Sequence, residues 1–486
     1  MVCKRDKMGI QPLFYWEKHP EIAGNSIRDL LDKGVPRKLS LAGLQNFLEY
    51  GCVGEPLTII DGVHCVPPGC ELRDGRVVRY WRPETILRDW TPESAQTAVT
   101  MAVEKAVGQA MGNGEGAPVR AAFLSGGIDS GTIVSVMRRL LGKDAEIRTY
   151  CIMHEDPRTD ERVWARKVAE RNGTQHTELM LTGEMIAKNM MEAVANYDQP
   201  SVDGINFWFA SKLVSEAGEK TVMSGEGGDE LCVGYGQFAK PRQIYRIASA
   251  MGFLRGRFPL RQIGWLAERI APNEKWRKLG ALMSYRYDPY FLSRRVFTDL
   301  QMEDVLKPEI WQAMGSIRPY PEIWGECFGD ESLERDQINL ISWKEVYTVL
   351  LSMYLHDGWQ MSHPFGLDVR TPLSDPELTS LLFTIPGELK CAPEYLKPLL
   401  VRAAGDGYPL ECATRKKQGF ALPFDRYFKG ELKERLDTFL SGETLLFRKD
   451  ALRMLGRQYT AGKVNWARIW TLFMVEDWCR RNRVTL

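Results

Sequence analysis

The sequence predicts an α/β protein: a doubly wound parallel sheet covered by helices, with a helical C-terminal lobe after it and a small β-rich segment before it. Three observations carry that expectation. Between residues 91 and 223, short apolar runs alternate with longer stretches of helical periodicity, the pattern of strand–helix–strand units. Two glycine-rich loops, SGGIDS at 125–130 and SGEGGDE at 224–230, each follow an apolar run. Both therefore fall at carboxyl ends of strands, where open parallel sheets place their ligands. Beyond Gln237 the alternation stops, and apolar residues recur at helical spacing amid many Trp, Tyr and Phe.

In chain order, residues 1–85 read as β-rich, with apolar or aromatic runs at 11–16, 58–60 and 76–80 punctuated by Gly and Pro, and a helical stripe at 39–50. Residues 82–90, with Pro and charges, read as a linker. A helix runs from Thr91 to Met111, and the loop GNGEGAP breaks it before a strand at 119–124. Then come a helix at 131–141, a strand at 147–153, a helix at 160–171, a strand at 177–181, helices as far as Gly218 and a strand at 220–223. No strand is expected after Gln237; the stretches 242–270 and 331–354 carry helical spacing. A chain of 486 residues exceeds one ordinary core, and the expected units are 1–85 and 91–486.

Lys and Arg total 64 against 63 for Asp and Glu, and the signs are interspersed, so no footprint for nucleic acid or an anionic membrane stands out. The ten cysteines are scattered without C-x-x-C spacing, which favours reduced thiols and a cytoplasmic location. No apolar run approaches the roughly 18 residues of a membrane span, so a soluble protein is expected. The six histidines show no metal-ligand spacing.

The loop Ser125-Gly126-Gly127-Ile128-Asp129-Ser130 lies between the apolar Phe123-Leu124 and a helix start. Two glycines let the backbone approach phosphate oxygens, and Ser125, Ser130 and the free amides of the helix offer hydrogen bonds to an anion. A carboxylate among phosphate ligands is repulsive unless it holds a cation, so Asp129 reads as a ligand of Mg²⁺. The plainer alternative is a glycine turn capping a helix. The loop lacks the Gly-Lys-Ser/Thr of a Walker motif. In the second loop, Asp229 reads as a further metal ligand and Glu226 as a base or binder facing the substrate; a solvated acidic turn is the alternative.

FLSGGIDS at 123–130, SGEGGDEL at 224–231, GLDVRTPLSD at 366–375 and RKKQGFALPF at 415–424, in this order, resemble the synthetase domain of asparagine synthetase B and its relatives. YDQPSVDGIN at 197–206 agrees with it. The resemblance implies a sheet of the adenine-nucleotide α-hydrolase type that binds ATP and Mg²⁺. It implies that Asp129 and Asp229 hold the metal, and that Phe123, Leu124, Ser125, Gly126, Gly127, Asp129, Ser130, Ser224 and Gly225 line the nucleotide site. Lys417 matches a lysine that neutralises the transferring phosphate, although one lysine of a solvated basic run is the alternative. Asp375 matches an acid near the active centre, with a helix-capping role open before Pro376.

The beginning of the chain departs from the glutamine-dependent relatives, whose mature chain starts with a nucleophilic cysteine. Here it reads Met1-Val2-Cys3; residues 3–16 resemble a strand pair from the middle of a class II glutaminase domain, and residues 40–72 its last part. The expectation is a glutaminase remnant with a structural Cys3 and no glutaminase activity of its own. Nitrogen would come from ammonia, another amine or a separate glutaminase. The implied function is AMP-forming amide synthesis, most commonly from aspartate. Two alternatives stand beside it: an internal amide formation of the β-lactam synthetase or lasso-peptide cyclase type, and a non-catalytic ATP-binding paralogue. An oligomer is possible on this reading.

Overall fold

A computed structural model describes residues 2–112, 118–155, 161–234, 288–415 and 422–486, together with isolated positions between 263 and 282. The expected helical stretch at 242–270 lies outside the described residues apart from those positions.

The first 85 residues form two small antiparallel sheets. In one, β5 (Cys70–Arg73) lies between β1 (Val2–Lys4) and β6 (Arg76–Arg79). In the other, β2 (Phe14–Trp16) lies between β3 (His19–Gly24) and β4 (Val63–Cys65). The expected helix appears as Leu41–Tyr50: the Ser40 hydroxyl accepts from the Gly43 amide at 3.0 Å, and Gly51 ends the helix at φ 81°. The strand expected at 58–60 does not form. The Thr58 hydroxyl donates to the Ile60 and Val63 carbonyls at 3.0 and 2.8 Å, which closes the chain into a turn in place of a ladder. The strand comes three residues later, as β4.

Residues 82–90 form neither helix nor strand. The long helix Pro92–Met111 then opens with a reciprocal cap between Thr91 and Ser94. The central sheet is parallel throughout and contains β7 (Ala121–Phe123), β8 (Arg148–His154), β9 (Gln175–Leu181), β10 (Thr221–Met223) and β11 (Asp368–Arg370), in the spatial order β11-β10-β7-β8-β9. β11 corrects the expectation that strands stop after Gln237. Among the described residues it pairs along one side only, with β10, and Val369 is its sole apolar residue, so a three-residue edge strand leaves no periodic signal.

The chain runs from β7 outward through β8 and β9, then returns to the other side of β7 as β10. The switch point therefore falls between β7 and β10, and a crevice opens there at the strand ends. Residues 331–354 are helical as expected, in the segments Glu331–Arg335, Gln337–Glu345 and Val346–Leu355. Among the described residues no helix is long and apolar enough to cross a membrane.

Phe47 and Leu48 of the first long helix are buried in one core with Trp208, Trp470 and Trp478, so the N-terminal segment packs on the C-terminal helix Trp466–Arg481. Asp198 adds a polar tie. Its carboxylate accepts from the amides of Ile27 and Arg28 at 2.7 and 3.1 Å and from the Ser26 hydroxyl at 2.6 Å, capping a helix that lacks a local side-chain cap. Replacing Asp198 by Ala strands buried donors, and a loss of about 1–3 kcal/mol is expected, read as a lowered denaturation midpoint. Ser26→Ala, which removes one of the three donors, should cost less.

Candidate active site

Gly126 turns the chain out of β7 in the left-handed region, at φ 73°, and a Cβ there would overlap the backbone of Trp164. The Ser125 hydroxyl accepts from the Gly127 amide at 3.3 Å, and the Ser130 hydroxyl accepts from the Ser125 amide at 3.3 Å, so the two serines hold the loop closed. The helix Ile128–Leu141 begins at Gly127 without a side-chain cap, which leaves its first amides open to an anion. Tyr408 pins the turn from outside, its hydroxyl donating to the Gly126 carbonyl at 3.2 Å.

The second loop leaves β10 beside the first. Its glycines are steric necessities: a Cβ at Gly225 would sit 2.8 Å from the Asp129 Cβ, and one at Gly228 would collide with the Asp129 carboxylate. The loop also leans on β11, since the Ser224 amide donates to the Arg370 carbonyl at 2.8 Å and the Ser374 hydroxyl to the Glu226 carbonyl at 2.9 Å. Together the loops wall a cavity of about 450 Å³ that continues over Tyr150, Ile152 and Phe207.

Asp129 and Asp229 face one another across an ammonium. Lys397 Nζ pairs with Asp129 Oδ2 and lies 2.5 Å from Asp229 Oδ1, with the lysine side chain 3% exposed. Burial opposes charge on this amine, but the two carboxylates hold its pKa above the ordinary lysine value. Two hard carboxylate oxygens beside an anion-binding loop fit Mg²⁺, which takes one or two carboxylates together with substrate phosphates. Among the described residues no group of three or more His, Cys, Asp or Glu could hold a metal by itself, so phosphate and water would complete that set.

Glu226 differs from its acidic neighbours. Burial, opposed by hydrogen bonds from Ser224 and its own amide but reinforced by Asp129 and Asp203, pushes its carboxyl up to about 7. Its Oε2 is buried without a hydrogen bond among the described residues. It lines the cavity as an open acceptor that titrates near neutrality.

The model of the asparagine synthase family matches residues 98–480 of this chain. The protein belongs to the asparagine synthase family. It is 25% identical to asparagine synthetase [glutamine-hydrolyzing] 1 of Bacillus subtilis (strain 168) over 98% of this chain and 74% of that protein. It shares 25% identity with a putative glutamine-hydrolysing asparagine synthetase of Mycobacterium bovis, again over 98% and 74%. A third relative, asparagine synthetase [glutamine-hydrolyzing] 3 of Bacillus subtilis, is 24% identical over 96% and 73%. An asparagine synthase of this kind is an ATP-dependent, amide-forming ligase.

Of the residues expected in the site, Phe123, Leu124, Ser125, Gly127, Asp129, Ser130, Ser224, Gly225, Glu226 and Asp229 meet around the cavity, with Gly126 at the turn beneath them. Asp375 stands elsewhere: its Oδ1 accepts from the amides of Glu377 and Leu378 at 2.8 and 3.0 Å, capping the helix Pro376–Thr384. Lys417 lies outside the described residues. Cys3 sits in the middle of β1, opposite Leu72. Asp203, Arg415 and Lys397 are among the cavity residues that carried no chemical assignment from sequence. Asp203 stood in the quoted SVDGIN motif without a role. Arg415, whose Nη2 lies 2.6 Å from Glu161 Oε1, stood beside the lysines that drew attention. Lys397, in YLKPLL, reads as an ordinary helix start.

In Gly228→Ala the added methyl displaces the Asp129 carboxylate, and a loss of about tenfold or more in affinity for ATP with Mg²⁺ is expected, or roughly 1.4 kcal/mol. Calorimetric titration measures it, with an unchanged circular dichroism spectrum as the control for folding.

Proposed function

We propose that this asparagine synthase-type ligase adenylates a small carboxylic acid, aspartate in the first instance, and transfers the acyl group to ammonia or an amine. One observation carries the reading: a glycine loop at a helix start, an acid pair suited to Mg²⁺ and the buried Glu226 surround one cavity. A substrate carboxylate oxygen attacks the α-phosphorus of ATP, and the bond to pyrophosphate breaks. The donor nitrogen then attacks the acyl carbon, AMP departs, and Glu226 takes the proton that the nitrogen loses. Asp129 and Asp229 would hold Mg²⁺, which neutralises the pyrophosphate when bound. Lys417 is proposed to balance charge on the transferring phosphoryl group. Ser125, Ser130 and the amides of the helix start orient the phosphates.

A second cavity, of about 320 Å³, adjoins the first and shares Glu226, Phe207 and Tyr354 with it. Ile10 and Gln11 of the N-terminal segment lie on its wall. It is proposed as the approach of the nitrogen donor to the acyl carbon. Free ammonia, a carbon-borne amine and ammonia from a separate glutaminase could each use it.

The deciding assay is pyrophosphate release from ATP and Mg²⁺ with aspartate and ammonium, run beside a panel of other carboxylates. Aspartate-dependent release is expected, falling at least a hundredfold in Asp129→Ala; release with a different acid alone would reassign the substrate.

Glu226 also sets a pH dependence. Its raised pKa leaves it mostly protonated below pH 7, so kcat/KM for amide formation should rise through about pH 7 as the carboxylate forms. Glu226→Gln should lose about a hundredfold in rate and that limb of the profile. Ammonium titrates identically in both proteins, so the difference between the two profiles isolates the glutamate.

A further inference from the structure

Lys397 is built into the site at a local disadvantage. It is a non-glycine residue with φ 52°, and it immediately precedes the helix Pro398–Ala404, at the helix end that repels a cation. The side chain is nevertheless fixed: Cε packs against Gly234, where a Cβ would overlap both it and Asp229 Oδ1. The ammonium bridges Asp129, from the loop after β7, to Asp229, from the loop after β10. Without a cation there, two partly buried carboxylates would repel one another and draw the loops apart.

We propose that Lys397 is an internal counter-cation that occupies the place of the metal in the nucleotide-free protein, and that it makes Mg²⁺ binding depend on ATP. The inference rests on Asp129 and Asp229 being the metal ligands of the proposed reaction. A divalent ion on the same oxygens meets the ammonium at close range, so Mg²⁺ alone is opposed by like charge. With ATP present, the phosphates supply the negative charge that accepts the displaced ammonium, and metal and lysine are held together. Lys397 is thus a positioning residue that keeps the empty site closed and screens out metal without nucleotide.

The test is calorimetric titration of MgCl₂ into nucleotide-free protein, paired with melting temperatures in chelator and in Mg²⁺. Lys397→Met should bind Mg²⁺ alone at least tenfold more tightly than wild type. It should melt lower than wild type in chelator and recover on adding Mg²⁺, while its affinity for ATP falls. Lys397→Arg keeps the charge and should keep Mg²⁺ binding weak; Lys397→Gln serves if the methionine variant does not fold. Unchanged Mg²⁺ affinity in the neutral variants, with melting temperature lowered equally in chelator and in Mg²⁺, overturns the proposal and leaves a structural ion pair. That result, with pyrophosphate release still lost in Asp129→Ala, would leave the proposed reaction standing. Failure of every variant and of wild type to bind Mg²⁺ even with ATP would overturn the metal assignment with it.

Discussion

The charge balance around Lys397 is the constraint on which the site depends. Asp129 and Asp229 arrive from loops on either side of the switch point, and the lysine arrives from the helical lobe, so one ammonium connects three separately folded pieces of backbone. Each carboxylate is crowded by a glycine of the acidic loop or its continuation: Gly225 and Gly228 against Asp129, Gly234 against Asp229. The glycines bring the acids close, and the ammonium makes that closeness tolerable. Neither element suffices, because close packing without a counter-charge is repulsive and a counter-charge without close packing leaves the loops free.

The sheet explains why these pieces meet. A doubly wound order brings the ends of β7 and β10 side by side although almost a hundred residues separate them in the chain. β11 extends the same side and delivers the backbone carbonyl of Arg370 to Ser224 and the hydroxyl of Ser374 to Glu226. The short edge strand thereby supports the acidic loop from behind. Its neighbour Asp375 is spent on starting the next helix, which fixes the direction in which the chain leaves the site.

Legibility from sequence follows from how local each signal is. The four strands from β7 to β10 could be read because each falls between helical stretches, three of them as apolar runs and β9 by the apolar end of its QHTELML, and both loops because their glycines and acids are contiguous. β11 was hidden because three residues with one apolar side chain have no period, and the strand near residue 60 was misplaced because the hydroxyl of Thr58 overrides an apolar run. Lys397 was illegible for a different reason. Its role depends on two carboxylates more than 160 residues away, and nothing in YLKPLL records them. Asp198 is similar: its sequence context suggests a loop acid, whereas its work is to cap a helix at residue 27.

The acids of one site are set to different tasks by what surrounds them. Asp129 and Asp229 share an ammonium, a pairing suited to exchange with another cation. Glu226, three residues from Asp229, has no such cation among the described residues; burial and the charges of Asp129 and Asp203 raise its affinity for a proton. The same counter-ion therefore has two consequences. In the proposed reaction the ion pair keeps the aspartates together as ligands for a metal, and it leaves Glu226 outside the pairing as the acceptor for the proton that an attacking nitrogen loses. The reaction proposed above, in which a site binds a tetra-anionic nucleotide and takes a proton from an amine, uses both kinds of carboxylate within one cavity, and the placement of Lys397 distinguishes them.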